Sequence, residues 1–129
     1  MAEAGIDVPP GYLVSSQYSA ESGYRAALPL LAQRPTAIFA GNDGLALGVL
    51  EAAREVGLSV PYELSVIGFD DIPASSMVTP ALTTIRQPLA ELWEKATRAL
   101  LDQIENDRVT APYRAEPELV VRASTRELW

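Results

Sequence analysis

Short apolar runs alternate along this chain with stretches in which apolar residues recur at helical spacing, which predicts alternating strands and helices rather than a sandwich or a bundle. The clearest run is Leu64–Phe69, where Val66, Ile67, Gly68 and Phe69 leave no polar face. Such a strand belongs in a parallel sheet covered on both sides. Asp70 and Asp71 follow together at its C-terminal end. In open α/β sheets that edge holds the binding crevice, because loops and helix N-termini converge there.

Before this strand, Tyr12–Ser15 reads as a strand and Ser19 as the cap of a helix through Leu31. Ala20, Tyr24, Ala27, Leu28 and Leu31 supply that helix with an apolar stripe, and Pro29 is expected to bend or shorten it. Thr36–Ala40 is the next strand. Gly41-Asn42-Asp43 then turns into a helix to about Val56, with Asn42 or Asp43 as its cap. Ala46, Val49, Ala52, Ala53 and Val56 can face the sheet, while Leu47, Leu50, Glu51 and Arg54 share another face. Two leucines there leave two readings open, a partner surface or cover under a neighbouring loop. Gly57 is placed as a left-handed residue ending the helix.

After Asp71, the segment IPASSMVTPAL has no clear period and reads as a loop or a short irregular helix. Leu82–Ile85 is extended, helped by its β-branched residues. Pro88 fits the first turn of the longest helix, about Leu89–Ile104, with Leu89, Trp93, Ala96, Leu100 and Ile104 as its stripe. Asn106-Asp107-Arg108 ends it, and Pro117–Arg122 is the last strand.

Composition narrows the chemistry. The chain has 129 residues, ten Lys and Arg against seventeen acids, and a formal charge of -7, so it has no continuous basic surface for a phosphate backbone. Neither a helix-turn-helix with a basic recognition helix nor a zinc-finger spacing is found. Cysteine and histidine are both absent, which removes disulfides, thiol nucleophiles, imidazole bases and typical zinc or copper sites, and no cofactor is expected. No apolar stretch approaches the roughly 20 residues that cross a bilayer, and the N-terminus has no secretion-signal pattern, so a cytoplasmic protein without a membrane partner is expected. Asp70 and Asp71 are adjacent and cannot be placed across a glycosidic bond, where the two carboxyls stand at least about 5 Å apart. Lys95, the only lysine, lies within a long helix, which argues against a phosphorylatable receiver. Catalysis is not expected.

Four segments then carry a resemblance: YSAESGYRAA at 18–27, RPTAIFAGNDGLALGVLEAAREVGLSVPYELSVIGFDD at 34–71, TPALTTIRQP at 79–88 and ELVVRAST at 118–125. Together, in this order and spacing, they resemble the lactose/galactose repressor (LacI/GalR) family and its periplasmic-binding-protein-like sugar sensors. The resemblance implies a three-layer α/β/α, parallel-sheet periplasmic-binding-protein-like fold, present in part. Residues 1–85 would form an incomplete C-terminal lobe, 86–108 a crossing segment and a helix of the other lobe, and 109–129 the return and final strand. The DNA-binding headpiece and most of the other lobe would lie outside this chain, so operator DNA would be a partner only through absent residues.

The same resemblance implies roles for individual residues. Asn42 would hydrogen-bond the hydroxyls of a small-molecule effector, with a sugar as the leading class, and its amide could both donate and accept. Asp70 would accept from adjacent hydroxyls or a base nitrogen, and Tyr18 would pack against the flat, less polar face of a sugar or purine ring. From spacing alone Asn42 is a helix cap, and Asp70 and Asp71 shape a turn. Under the resemblance Asn42 and Asp70 become contacts, while Asp43 is the better cap and Asp71 stays structural. Leu47, Leu50, Ser75, Met77 and Val78 would lie at or near a two-fold homodimer interface. Ile85, Arg86 and Gln87 would be hinge residues. Trp93 departs from the family pattern, which most often has glycine there, so its indole needs a new pocket or faces solvent. With half of the pocket outside the chain, weak sugar affinity is expected, and the uncovered stripe at 88–104 predicts an oligomer.

Overall fold

The computed structural model of the protein describes residue 5 and residues 7–127. In chain order its elements are α1 (Ala20–Leu31), β1 (Ala37–Phe39), α2 (Asp43–Glu55), β2 (Ser65–Ile67), α3 (Pro73–Met77), β3 (Thr84–Arg86), α4 (Leu89–Asn106) and β4 (Glu118–Val120). The predicted alternation is present, with one exception. Tyr12–Ser15 is not a strand, and Leu13 is 84% exposed. A strand exists only where another pairs with it, and among the described residues none lies beside this segment.

β1 and β2 pair in parallel with Ile38 opposite Val66, as the apolar runs predict. Isolated parallel bridges, Ile67 to Thr83 and Asp70 to Arg86, carry the sheet on to β3. The last pairing departs from the parallel arrangement, because β4 runs antiparallel to β3 with Ile85 opposite Leu119. The chain returns from α4 and enters β4 from the opposite end.

Ser19 caps α1 by accepting from the Ser22 N–H at 3.2 Å. Pro29 lies in the last turn, and the helix continues past it to Leu31. α2 ends at Gly57, whose φ of 77° only glycine adopts cheaply. The Gly57 N–H donates to the Arg54 carbonyl and the Leu58 N–H to that of Ala53, closing a Schellman motif.

The core is built largely from small residues. Ala27, Ala46, Ala52 and Ala53 are buried with Leu64, Val66 and Leu82. Burial of each of the larger three is worth about 1.5–3 kcal/mol. Val56 does not join them; it is half-exposed beyond the last turn of α2. α1 and α2 cross at backbone contact. A methyl group on Gly48 would lie 2.0 Å from the Ala20 carbonyl oxygen, and one on Gly23 would lie 2.3 Å from that of Leu45. This crossing sets the N-terminal ends of both helices side by side at the sheet edge.

α4 stands apart, with none of its residues buried. Trp93, Leu100 and Ile104 are 69%, 59% and 70% exposed, so the single chain leaves the predicted apolar stripe open and Trp93 faces solvent. The return segment touches this helix at Tyr113, whose hydroxyl donates to Glu91 at 2.5 Å and whose ring lies 4.3 Å from Lys95 Nζ.

Candidate functional site

Two turns meet at the C-terminal edge of β1 and β2. The Ala40 N–H donates to the Ile67 carbonyl at 2.9 Å, and the Asp43 N–H to that of Phe69 at 2.8 Å. These bonds pin the Gly41-Asn42 turn against the residue preceding Asp70. The segment leading into α1 brings Tyr18 to the same place, since a methyl group on Gly41 would sit 3.8 Å from its Cε1. The fold thus sets Tyr18 beside the Gly41-Asn42 turn and that turn beside the strand end that leads into Asp70, and Tyr18 is 77% exposed.

Asn42 is the cap of α2. Its backbone is extended, and its Oδ1 accepts from the Leu45 N–H at 2.8 Å. One lone pair of the carbonyl is thereby used in the cap, and the NH₂ has no protein partner among the described residues. Asp43, expected as the better cap, does something else. It is fully buried and accepts from the Ile72 N–H at 3.0 Å and from the hydroxyls of Ser75 and Thr84. Gly68 makes room for it, since a methyl group there would lie 2.2 Å from Asp43 Oδ1.

Asp70 and Asp71 both adopt positive φ, 114° and 58°, in a region disfavoured for side-chain-bearing residues. Hydrogen bonds from β3 and its continuation hold this conformation. The Asp70 N–H donates to the Ile85 carbonyl at 2.9 Å, and Gln87 Nε2 donates to Asp70 Oδ1 at 2.7 Å. Asp70 Oδ2 has no protein partner among the described residues. Asp71 is structural in its contacts. Arg86 Nε donates to its Oδ2 at 2.7 Å and Arg122 to its Oδ1 at 2.5 Å, with the Asp71 side chain 8% exposed. Burial pushes the Asp71 carboxyl up, but its hydrogen bonds and charge interactions with Arg122 and Arg86 outweigh this and hold it below the usual carboxylate value. Arg86 also reaches Glu118 at 3.2 Å, so the three residues expected to act as a hinge are tied to both acids and to β4.

The residues expected at an interface separate into two groups. Leu47, Leu50 and Val78 line an open groove of about 320 Å³ together with Leu58, Val60 and Pro80, and the Glu51–Arg54 ion pair at 2.6 Å forms part of its rim. Met77 is 81% exposed. Ser75 is corrected: it is fully buried with its hydroxyl on Asp43, and so presents no surface to a partner.

Chemically, the edge offers one amide donor, one carboxylate oxygen and one aromatic face. That set suits a small ring carrying hydroxyl groups. No group of three or more acidic side chains among the described residues could hold a metal ion. Sequence reasoning missed Asp43 as a buried hub, Arg122 as a partner of Asp71, and the glycine contact between α1 and α2. The last did leave a signal, for Gly23 and Ala27, and Gly44, Gly48 and Ala52, recur at four-residue spacing.

The model of the periplasmic binding protein-like domain family matches residues 1–125. The HTH-type transcriptional repressor PurR of Escherichia fergusonii is 47% identical over 131 residues, covering 98% of this chain and 38% of that protein. The chain thus spans well under half the length of the curated relatives it matches. Among solved structures, a LacI-type transcription regulator from Bifidobacterium animalis superposes with a TM-score of 0.89 at 33% identity, over 98% of this chain and 46% of that one. A LacI family transcriptional regulator from Enterococcus faecium with bound ribose gives 0.82 at 36% identity, over 91% and 44%.

Proposed function

Because this chain belongs to the periplasmic-binding-protein-like domain family found in LacI-type regulators, we propose that it is the effector-sensing and dimerisation part of such a transcriptional regulator. Its task is binding, not catalysis. The observation that carries this reading is the pinning of the Asn42 turn to the Asp70 turn through the Asp43 N–H and the Phe69 carbonyl, with Tyr18 alongside. In this reading the Asn42 NH₂ donates to a ring hydroxyl, Asp70 Oδ2 accepts from a neighbouring one, and Tyr18 covers the apolar face. A sugar is the effector class, supported by the ribose bound to the Enterococcus faecium neighbour.

Residues 1–85 and 109–129 belong to one lobe in this scheme, and 86–108 cross to the other, which would cover the open face of α4. Ile85, Arg86 and Gln87 form the hinge in this scheme, because they hold both acids where the chain passes from the end of β3 to α4. The groove between Leu47, Leu50 and Val78 is the homodimer surface, with Met77 beside it. Operator DNA would be reached only through residues outside this chain, in the cytoplasm.

Thermal-shift titration with ribose and a hexose panel tests the reading. Asn42→Asp keeps the cap acceptor but replaces the NH₂ with an oxygen. Asp70→Ala removes the carboxylate. Each is expected to abolish the ligand-induced shift; the ligand-free midpoint stays near wild type in Asn42→Asp and falls modestly in Asp70→Ala, which also loses the Gln87 hydrogen bond. A sugar-dependent shift that survives both substitutions would place the ligand elsewhere.

A further inference from the structure

Asp43 is the one fully buried acid among the described residues, and no cation contacts it. Burying a carboxyl against neutral donors alone is costly, so its retention calls for a geometric reason. Its partners supply one. Oδ2 accepts from the Ile72 N–H at the start of α3 and from the Ser75 hydroxyl within it, while Oδ1 accepts from the Thr84 hydroxyl of β3. The backbone N–H of the same residue holds the Phe69 carbonyl, immediately before Asp70, and Asn42 is its chain neighbour. A side chain with two acceptor oxygens meets all three donors without reorienting any of them; an asparagine would turn its NH₂ toward one, and only by rotating a hydroxyl from donor to acceptor would that contact be kept.

Beyond this contact, α3 runs directly into the groove. The Val78 N–H donates to the Ala74 carbonyl at 3.2 Å and the Leu82 N–H to that of Ser75 at 2.8 Å, so Val78–Pro80, one wall of the groove, moves as α3 moves. We infer that Asp43 is a positioning residue: its buried carboxyl makes the placement of α3, and hence of the groove wall at Val78–Pro80, depend on the placement of the Asn42–Asp70 edge. Coupling of this kind passes through contiguous packed and hydrogen-bonded groups, and here the Asp43 side chain joins the start of α2 to α3 and β3, beside the covalent link that runs from Asp70 through Asp71 and Ile72 into α3. The dimer part of the test below rests on the function proposed above; the exchange part does not.

Amide hydrogen exchange and sedimentation velocity on the whole chain decide it, using Asp43→Asn, the milder Thr84→Val, and Val66→Ala as a buried control away from these hydrogen bonds. Asp43→Asn and Thr84→Val should each speed exchange at Val78 and Leu82 by about tenfold while the interiors of α1 and α2 keep their wild-type rates. Thr84→Val should also weaken dimerisation, although Thr84 does not line the groove. Unchanged exchange at Val78 and Leu82 would overturn the inference, as would uniform acceleration indistinguishable from Val66→Ala. A wild-type chain that is monomeric throughout would refute the dimer reading instead, and the exchange pattern would still decide the role of Asp43.

Discussion

Replacing Gly48 with alanine sets two effects of opposite sign against each other. Alanine is the better helix former by about 1 kcal/mol, so on an isolated helix the change would stabilise. In this fold the added methyl would lie 2.0 Å from the Ala20 carbonyl oxygen and 2.4 Å from the Tyr24 nitrogen. Both are backbone atoms of α1, and no rotamer change relieves the clash. The crossing must open by about 1.4 Å, the difference between 2.0 Å and an ordinary contact of 3.4 Å. A gap of that size forfeits much of the dispersion attraction across the crossing and loosens the Ala27–Ala46–Val49 packing. Overpacking of this kind costs about 1–3 kcal/mol, and contact with rigid backbone puts Gly48 at the upper end, leaving a net loss of about 2 kcal/mol after the propensity gain. Urea unfolding followed by far-ultraviolet circular dichroism reads this as a lower midpoint with an unchanged slope. Gly23→Ala should behave alike, and the double variant should cost less than the two separately, because one opening accommodates both methyls. A Gly48→Ala protein at least as stable as wild type would refute the close crossing of α1 and α2.

Three other outcomes follow from the same contacts. Asp71 has a folded-state value below its ordinary 3.8, so its contribution to stability is full above that value and is lost as pH falls through the folded one; Asp71→Asn should therefore flatten the acid limb of a stability profile from about pH 5 downward, and an unaltered limb would dismiss the Arg86–Asp71–Arg122 network. Asn42→Ala removes the cap of α2 and should cost about 1 kcal/mol by denaturant unfolding, whereas Asn42→Asp should cost almost none. Leu50→Arg places a charge in the apolar groove, and sedimentation velocity should show dissociation with wild-type circular dichroism; an unchanged sedimentation coefficient would move the interface elsewhere.

Much of this architecture was legible because local chemistry and tertiary packing agree. Ser19, Gly57 and Asp107 end helices where their side chains or backbone freedom predict, and the Leu64–Phe69 run lies in the sheet with Asp70 at its edge. Tyr12–Ser15 misled because a strand is a property of a pair, and its apolar residues say nothing of a partner. Asp43 was hidden for a related reason. Its side-chain donors lie 29 to 41 residues away along the chain, and nothing in its immediate neighbours distinguishes a buried hub from a cap. Val56 shows the limit of periodicity at a helix end, where the position continues the buried stripe but the packing partner has run out. The antiparallel β4 likewise depends on the route by which the chain returns from α4, which no local pattern records.

The central claim is that a hydroxylated small molecule is held at the edge formed by Tyr18, Asn42 and Asp70, and amide-resolved NMR titration of this chain with ribose tests it most directly. Saturable, weak binding is predicted, with the largest shifts at Tyr18, Gly41–Asn42 and Asp70–Asp71, and their loss in Asp70→Ala. Shifts centred on the Leu47–Leu50 groove or scattered over the surface, or persisting unchanged in Asp70→Ala, would contradict it.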